Sequence, residues 1–149
     1  MMNKKQIQLL ICKGMANGDS RLCKAKYGDN EVMISTDGCS AFILFENECI
    51  FDLNKIPTKK EIVTSVMTDK LEEVKVTNKR FVERGLSIAK LQGHSSTVYA
   101  MEKFIKMFDG NQFFFNIDGN VVVVKDDWGT TIGMFCPMRF KEEGEPDAR

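Results

Sequence analysis

Histidine and tryptophan occur once each in this chain, as His94 and Trp128, and proline only three times. With one imidazole, a structural zinc site would have to be assembled from scattered thiolates, so no metal and no cofactor is expected. None of the five cysteines (Cys12, Cys23, Cys39, Cys49 and Cys136) belongs to a C-x-x-C pair, and their number is odd. That argues against a disulfide framework and for free, partly buried thiols in a reducing cytoplasm. An excess of either charge is also missing. Lys plus Arg and Asp plus Glu both number 21, giving a formal net charge of +0. The simplest argument for nucleic-acid binding, a strongly basic domain, therefore falls away, while a local basic face stays open. No apolar run approaches the roughly 20 residues that cross a bilayer, and the interrupted stretch Ile7–Cys12 is too short for a signal peptide. No membrane partner is expected. The glycines sit in isolated turns, so a phosphate-cradling loop is absent too.

What is present suits one globular unit. The chain has 149 residues, 43% of them apolar, enough for a single cored domain over 1–140 with a charged, flexible tail over 141–149. Ile7, Leu10, Ile11 and Met15 recur at helical spacing, with Lys5, Gln8 and Lys13 largely off that face, and Asn17-Gly18-Asp19 stops the pattern. The spacing predicts a helix over 3–16. Short strand-like runs follow at 22–27, 31–35, 40–45 and 49–53, separated by Gly28-Asp29-Asn30, Thr36-Asp37-Gly38 and Glu46-Asn47-Glu48. Turn residues every eight to ten positions describe an antiparallel meander. Thr58 with Glu61 forms a capping-box signature, so 59–68 is expected to be helical. Leu71–Val76 reads as a strand and Asn78–Arg84 as the start of a further helix interrupted by Gly85.

From Gly93 onward the pattern is sharper. Ser95 or Ser96 is placed to cap a helix, and Val98, Met101, Phe104, Ile105 and Phe108 form an apolar stripe, which predicts a helix over 97–108 closed by Asp109-Gly110. Strands are expected at 112–117, 121–125 and 130–136, the first two joined by Asp118-Gly119-Asn120, with Pro137 ending the ladder. The implied class is α+β, built from two helix-plus-antiparallel-meander units sharing a sheet.

Several runs along this order resemble the bacterial DNA polymerase III β-subunit, the DNA sliding clamp. Gly133-Met134-Phe135-Cys136-Pro137-Met138-Arg139-Phe140 is similar to the family's ending, an apolar strand followed by a Met-Pro-Met-Arg-Leu-like run. Val32-Met33-Ile34-Ser35-Thr36-Asp37-Gly38, followed by Ala41-Phe42-Ile43-Leu44, resembles its strand–Thr-Asp–strand signature. The resemblance covers about residues 20–45 and 97–140, and it implies a DNA-clamp-like domain that binds rather than catalyses. In that family, helices present Lys and Arg to DNA phosphates in a sequence-independent way. Carried over, this marks Lys4, Lys5 and Lys13 on the first helix and Lys103 and Lys106 on the second. The family's peptide groove, which takes motifs from polymerases and repair proteins, marks Met134, Cys136, Pro137, Met138 and Arg139. The implied partners are thus double-stranded DNA and such peptides, with homo-oligomers as a further expectation. The alternative is a protein-interaction or assembly module of the same fold that does not contact DNA.

Other constellations have plainer explanations. His94 in Gly93-His94-Ser95-Ser96 reads as a surface residue beside a helix start rather than half of a Cys–His pair. Asp126-Asp127 fits a turn as well as a carboxylate pair. In Phe113-Phe114-Phe115, alternation sends the middle ring to the opposite face, which suits a central strand or an interface better than a base-stacking platform.

Overall fold

The computed structural model describes residues 2–64 and 70–142. These form three α-helices, α1 (Lys4–Ala16), α2 (Glu61–Thr64) and α3 (Glu102–Met107). They also form nine strands: β1 (Cys23–Lys26), β2 (Glu31–Ser35), β3 (Ser40–Phe45), β4 (Leu71–Glu83), β5 (Leu86–Gly93), β6 (Thr97–Met101), β7 (Gln112–Asn116), β8 (Val121–Lys125) and β9 (Thr131–Phe135). The chain is therefore α+β, with one large antiparallel sheet in the order β1-β2-β3-β9-β8-β7-β4-β5-β6. Among the described residues no helix is long and apolar enough to cross a membrane.

The order β1-β2-β3-β9-β8-β7 reads alike from both ends. Each half is a three-stranded meander preceded by a helix, and the two third strands, β3 and β9, lie antiparallel with Ser40 opposite Phe135 and Phe42 opposite Gly133. Strands β4 to β6 extend the sheet beyond β7, and β4 pairs with β7 only over Leu71–Val74. The far edge, β6, is met by the segment after β9, where the Met138 N–H donates to the Tyr99 carbonyl at 2.7 Å. That contact rolls this half of the sheet toward closure. At the other edge the Lys24 N–H donates to the Pro57 carbonyl, and the Lys59 N–H donates to the Lys24 carbonyl. Both outer strands are thus partly covered, which blunts edge-to-edge association.

Alternation along the strands sorts the core into two faces. Val122, Val124, Phe113, Phe115, Val32, Ile34, Phe42 and Phe135 point to one, where Ile7 and Ile11 of α1 and Phe104, Ile105 and Phe108 of the α3 region join them. Val121, Val123, Met33, Ala25, Ala41 and Met134 occupy the other, with Ile62 of α2 and Phe114 packed against them. The strands are apolar on both sides because both sides are covered, as in a central sheet layer. The Phe113-Phe114-Phe115 run belongs to this arrangement, since β7 is internal.

Helix α1 forms where its periodicity places it. Asn3 is the N-cap, and its side chain and that of Gln6 exchange hydrogen bonds with each other's backbone N–H in a capping box. At the other end Gly18 has φ 63°, the left-handed conformation that glycine tolerates.

Four sequence expectations are corrected. Residues 97–101 are strand β6, not the first turns of a helix, so Ser95 and Ser96 lie in the β5–β6 hairpin rather than at a helix cap. Val98 and Ala100 face the core from that strand while Phe104 and Ile105 face it from α3. The helical spacing of 98, 101, 104, 105 and 108 thus spans two elements that share one core. Residues 78–83 are extended in β4, which turns through Arg84 and Gly85, both at positive φ, into β5. Residues 49–53 do not form a strand; short 3-10 turns occupy Glu46–Glu48 and Leu53–Lys55. Gln8, expected off the buried face of α1, is buried, and its amide replaces a strand partner there. Its carbonyl oxygen accepts from the Ile50 N–H and its NH2 donates to the Glu48 carbonyl, both at 2.6 Å. Of the helix expected at 59–68, α2 covers Glu61–Thr64, and 65–69 lie outside the described residues, as does most of the charged tail, 143–149.

Candidate binding surfaces

The lysines picked out from sequence fall on one side of the molecule. Helices α1 and α3 share a face of the sheet, and the Met2 N–H donates to the Met107 carbonyl at 3.2 Å, tying the start of one to the end of the other. Lys4, Lys5 and Lys13 are exposed on α1, a helix with no acidic residue. Lys103 and Lys106 are exposed on α3, whose one carboxylate, Glu102, is already engaged. The Ser87 hydroxyl donates to Glu102 at 2.5 Å and Arg80 pairs with it at 3.2 Å, and these contacts hold its pKa below the usual carboxylate value. Lys4 is partly neutralised by Glu48 at 2.7 Å and also lies over the Phe45 ring. Lys103 sits over Phe104 at 5.1 Å. Five lysines are thus carried by the two helices of this sheet face, with Glu48 and Glu102 beside them.

The second group lies at the end of β9 and is divided. Met134 is 7% exposed, one of the residues that fill the second face of the sheet. Cys136 is half-buried against the same cluster, and burial, with the charges of Cys39 and Asp37 added, pushes its thiol pKa up. Pro137 and Met138 are half-buried and Arg139 is exposed. The chain then lays Phe140 against Phe81 and Tyr99, with ring centroids 4.8 and 5.1 Å away. Glu142 anchors the segment, accepting from Lys90 Nζ at 2.6 Å and the Tyr99 hydroxyl at 2.5 Å. Sequence reasoning missed this aromatic and ionic clip, because it joins residues 81, 90, 99, 140 and 142 from three different strands and the tail.

The remaining residues singled out from sequence lie in turns. His94 is exposed in the β5–β6 turn, away from any helix start. Asp126 builds the β8–β9 turn, its carboxylate accepting from the N–H groups of Trp128 and Thr130, both at 2.9 Å. Trp128 at the tip of that turn is 91% exposed. Among the described residues, no group of three or more His, Cys, Asp or Glu side chains comes together to hold a metal ion. A shallow cleft of about 390 Å³ opens where β4 parts from β7, lined by Lys75, Arg80, Ile105, Asn111 and Gln112 among others.

Compared with protein-family models, curated proteins and solved structures, the chain matches none.

Proposed function

We propose that this chain is a non-enzymatic binding module of the DNA-sliding-clamp type, serving DNA replication or repair by tethering duplex DNA or a partner peptide. One observation carries the reading: α1 and α3 lie on the same face of a sheet made of two opposed meanders, and that face presents Lys4, Lys5, Lys13, Lys103 and Lys106. Lysines on a helical face neutralise phosphates without reading bases, the contact a tether requires. The peptide-binding part of the reading rests on Pro137, Met138 and Arg139, the accessible portion of the terminal run, with Met134 and Cys136 supporting it from within.

The test is retention on a duplex-DNA column. The protein is expected to bind at low salt, and a variant with Lys5, Lys13, Lys103 and Lys106 changed to Glu is expected to flow through. Equal retention of the folded variant rejects the DNA-contacting face.

A second reading, an assembly module without DNA contact, is favoured by Trp128. An indole 91% exposed on a hairpin turn is the kind of anchor that protein interfaces bury. Under that reading Trp128→Ala abolishes self-association or partner capture, and the lysine variant changes nothing.

A further inference from the structure

Strands β3 and β9 bring two cysteines face to face. Ser40 pairs with Phe135 and Ala41 with Met134, so one step outward Cys39 stands opposite Cys136. The Cys136 N–H donates to the Cys39 carbonyl at 2.7 Å, which continues the ladder to this pair. Residues directly opposed in an antiparallel pair project to the same face, with Cβ atoms about 4.5–5.5 Å apart. Here that is the face of Ala41 and Met134. A disulfide needs Cβ atoms about 3.5–4.5 Å apart, so a closing shift on the order of 1 Å completes it. The shift falls at the end of the β3–β9 ladder: Cys39 lies just before β3, follows Gly38 at φ 75° and is exposed, and Cys136 lies just past β9 and is half-buried. Neither thiol is engaged in a disulfide in this structure.

We propose that Cys39 and Cys136 form a reversible, peroxide-responsive disulfide that fastens the two meanders together. The exposed Cys39 sulfur attacks a peroxide oxygen. The O–O bond breaks, Cys39 becomes a sulfenic acid, and the departing oxygen leaves as water (or alcohol, from an organic peroxide) after taking up the thiol proton. The Cys136 sulfur then attacks the Cys39 sulfur. The S–S bond forms, the S–O bond breaks, and the hydroxyl leaves as a second water with the Cys136 proton. Two thiols have been oxidised and one peroxide reduced, and a dithiol reductant reverses the change. The bond lies immediately before Pro137-Met138, so it pins the start of the terminal segment to β3.

The experiment treats the full chain with hydrogen peroxide and counts thiols in denaturant. The count is expected to fall from the five present in the sequence to three, with the protein remaining monomer-sized on a non-reducing gel. A non-reducing peptide map is expected to join the peptides carrying Cys39 and Cys136, and dithiothreitol is expected to restore both thiols. Cys39→Ser, at an exposed position, is expected to fold normally and to abolish the link. Five thiols after treatment, a covalent dimer through Cys39, or a link joining another cysteine pair each overturns the proposal.

Discussion

The ring edge of Phe108 closes over Gly133, so near that a Cβ on that glycine would stand 2.5 Å from it. The same Cβ would approach the Ala41 carbonyl to 2.7 Å, so backbone as well as side chain closes the site. Phe108 also packs tilted on Phe42 and stacked on Phe135, at 5.3 and 6.2 Å between centroids. Gly133 is thus the point where the end of α3 settles onto the junction between the two meanders.

Gly133→Ala is expected to lower stability by about 1–3 kcal/mol, the usual cost of overpacking a closed core, as read by urea unfolding. Phe108→Leu in the same chain relieves the ring contact and is expected to recover part of that loss. A double-mutant cycle showing strictly additive effects would contradict the packing described.

Glu72 predicts an acid-sensitive hairpin. Its carboxylate accepts from the N–H and hydroxyl of Ser95 at 2.6 and 2.8 Å, and from those of Ser96 at 3.2 and 2.7 Å. These bonds, that from the Ser95 backbone foremost, pull its pKa from 4.5 to about 2. Because the folded value lies below the unfolded one, the stabilisation is full above the unfolded pKa of 4.5 and is lost as pH falls toward about 2. Glu72→Gln is expected to flatten the pH dependence of unfolding in that window. An unchanged acid profile in Glu72→Gln would show that the Glu72 hydrogen bonds to Ser95 and Ser96 carry no linkage.

The tail clip is expected to open independently of the core. Phe140→Ala removes both aromatic contacts, each worth about 0.5–1.5 kcal/mol beyond area burial, from a half-buried site at the sheet edge. Amide exchange should quicken at Met138, whose N–H bonds to Tyr99, while the N–H groups of Val122 and Val123 stay protected. Uniform loss of protection across β8 would mean the segment is integral to the global fold.

The sequence revealed the two meanders and the first helix because their signals are local. The spacing of Ile7, Leu10, Ile11 and Met15, the turn at Gly28-Asp29-Asn30 and the Asp37 carboxylate, which accepts from the Cys39 and Ser40 N–H groups, all act within a few residues. The β4–β5 hairpin hid its strand character for two reasons. On the β4 side of its outer half Asn78, Lys79, Arg80, Val82 and Glu83 are exposed, so no apolar alternation shows there, and the register slips between Val76 and Arg80. Strand β6 was masked by Met101 and Phe104, which continue its apolar pattern at helical spacing. The basic face was legible as a list of lysines. That α1 and α3 share a side of the sheet, and that Met134 points inward, depend on tertiary pairing of β3 with β9.

The salt dependence of duplex-DNA affinity tests the central claim most directly. Sequence-independent phosphate contact lowers log K linearly in log salt with slope about −0.9 per neutralised phosphate. The lysine face therefore predicts a slope near −4 for the native chain if about four to five phosphates are engaged, identical for unrelated sequences, and a slope near zero once Lys5, Lys13, Lys103 and Lys106 are changed to Glu. A native chain that shows no duplex affinity even at low salt, or a variant whose slope equals the native one, would contradict it.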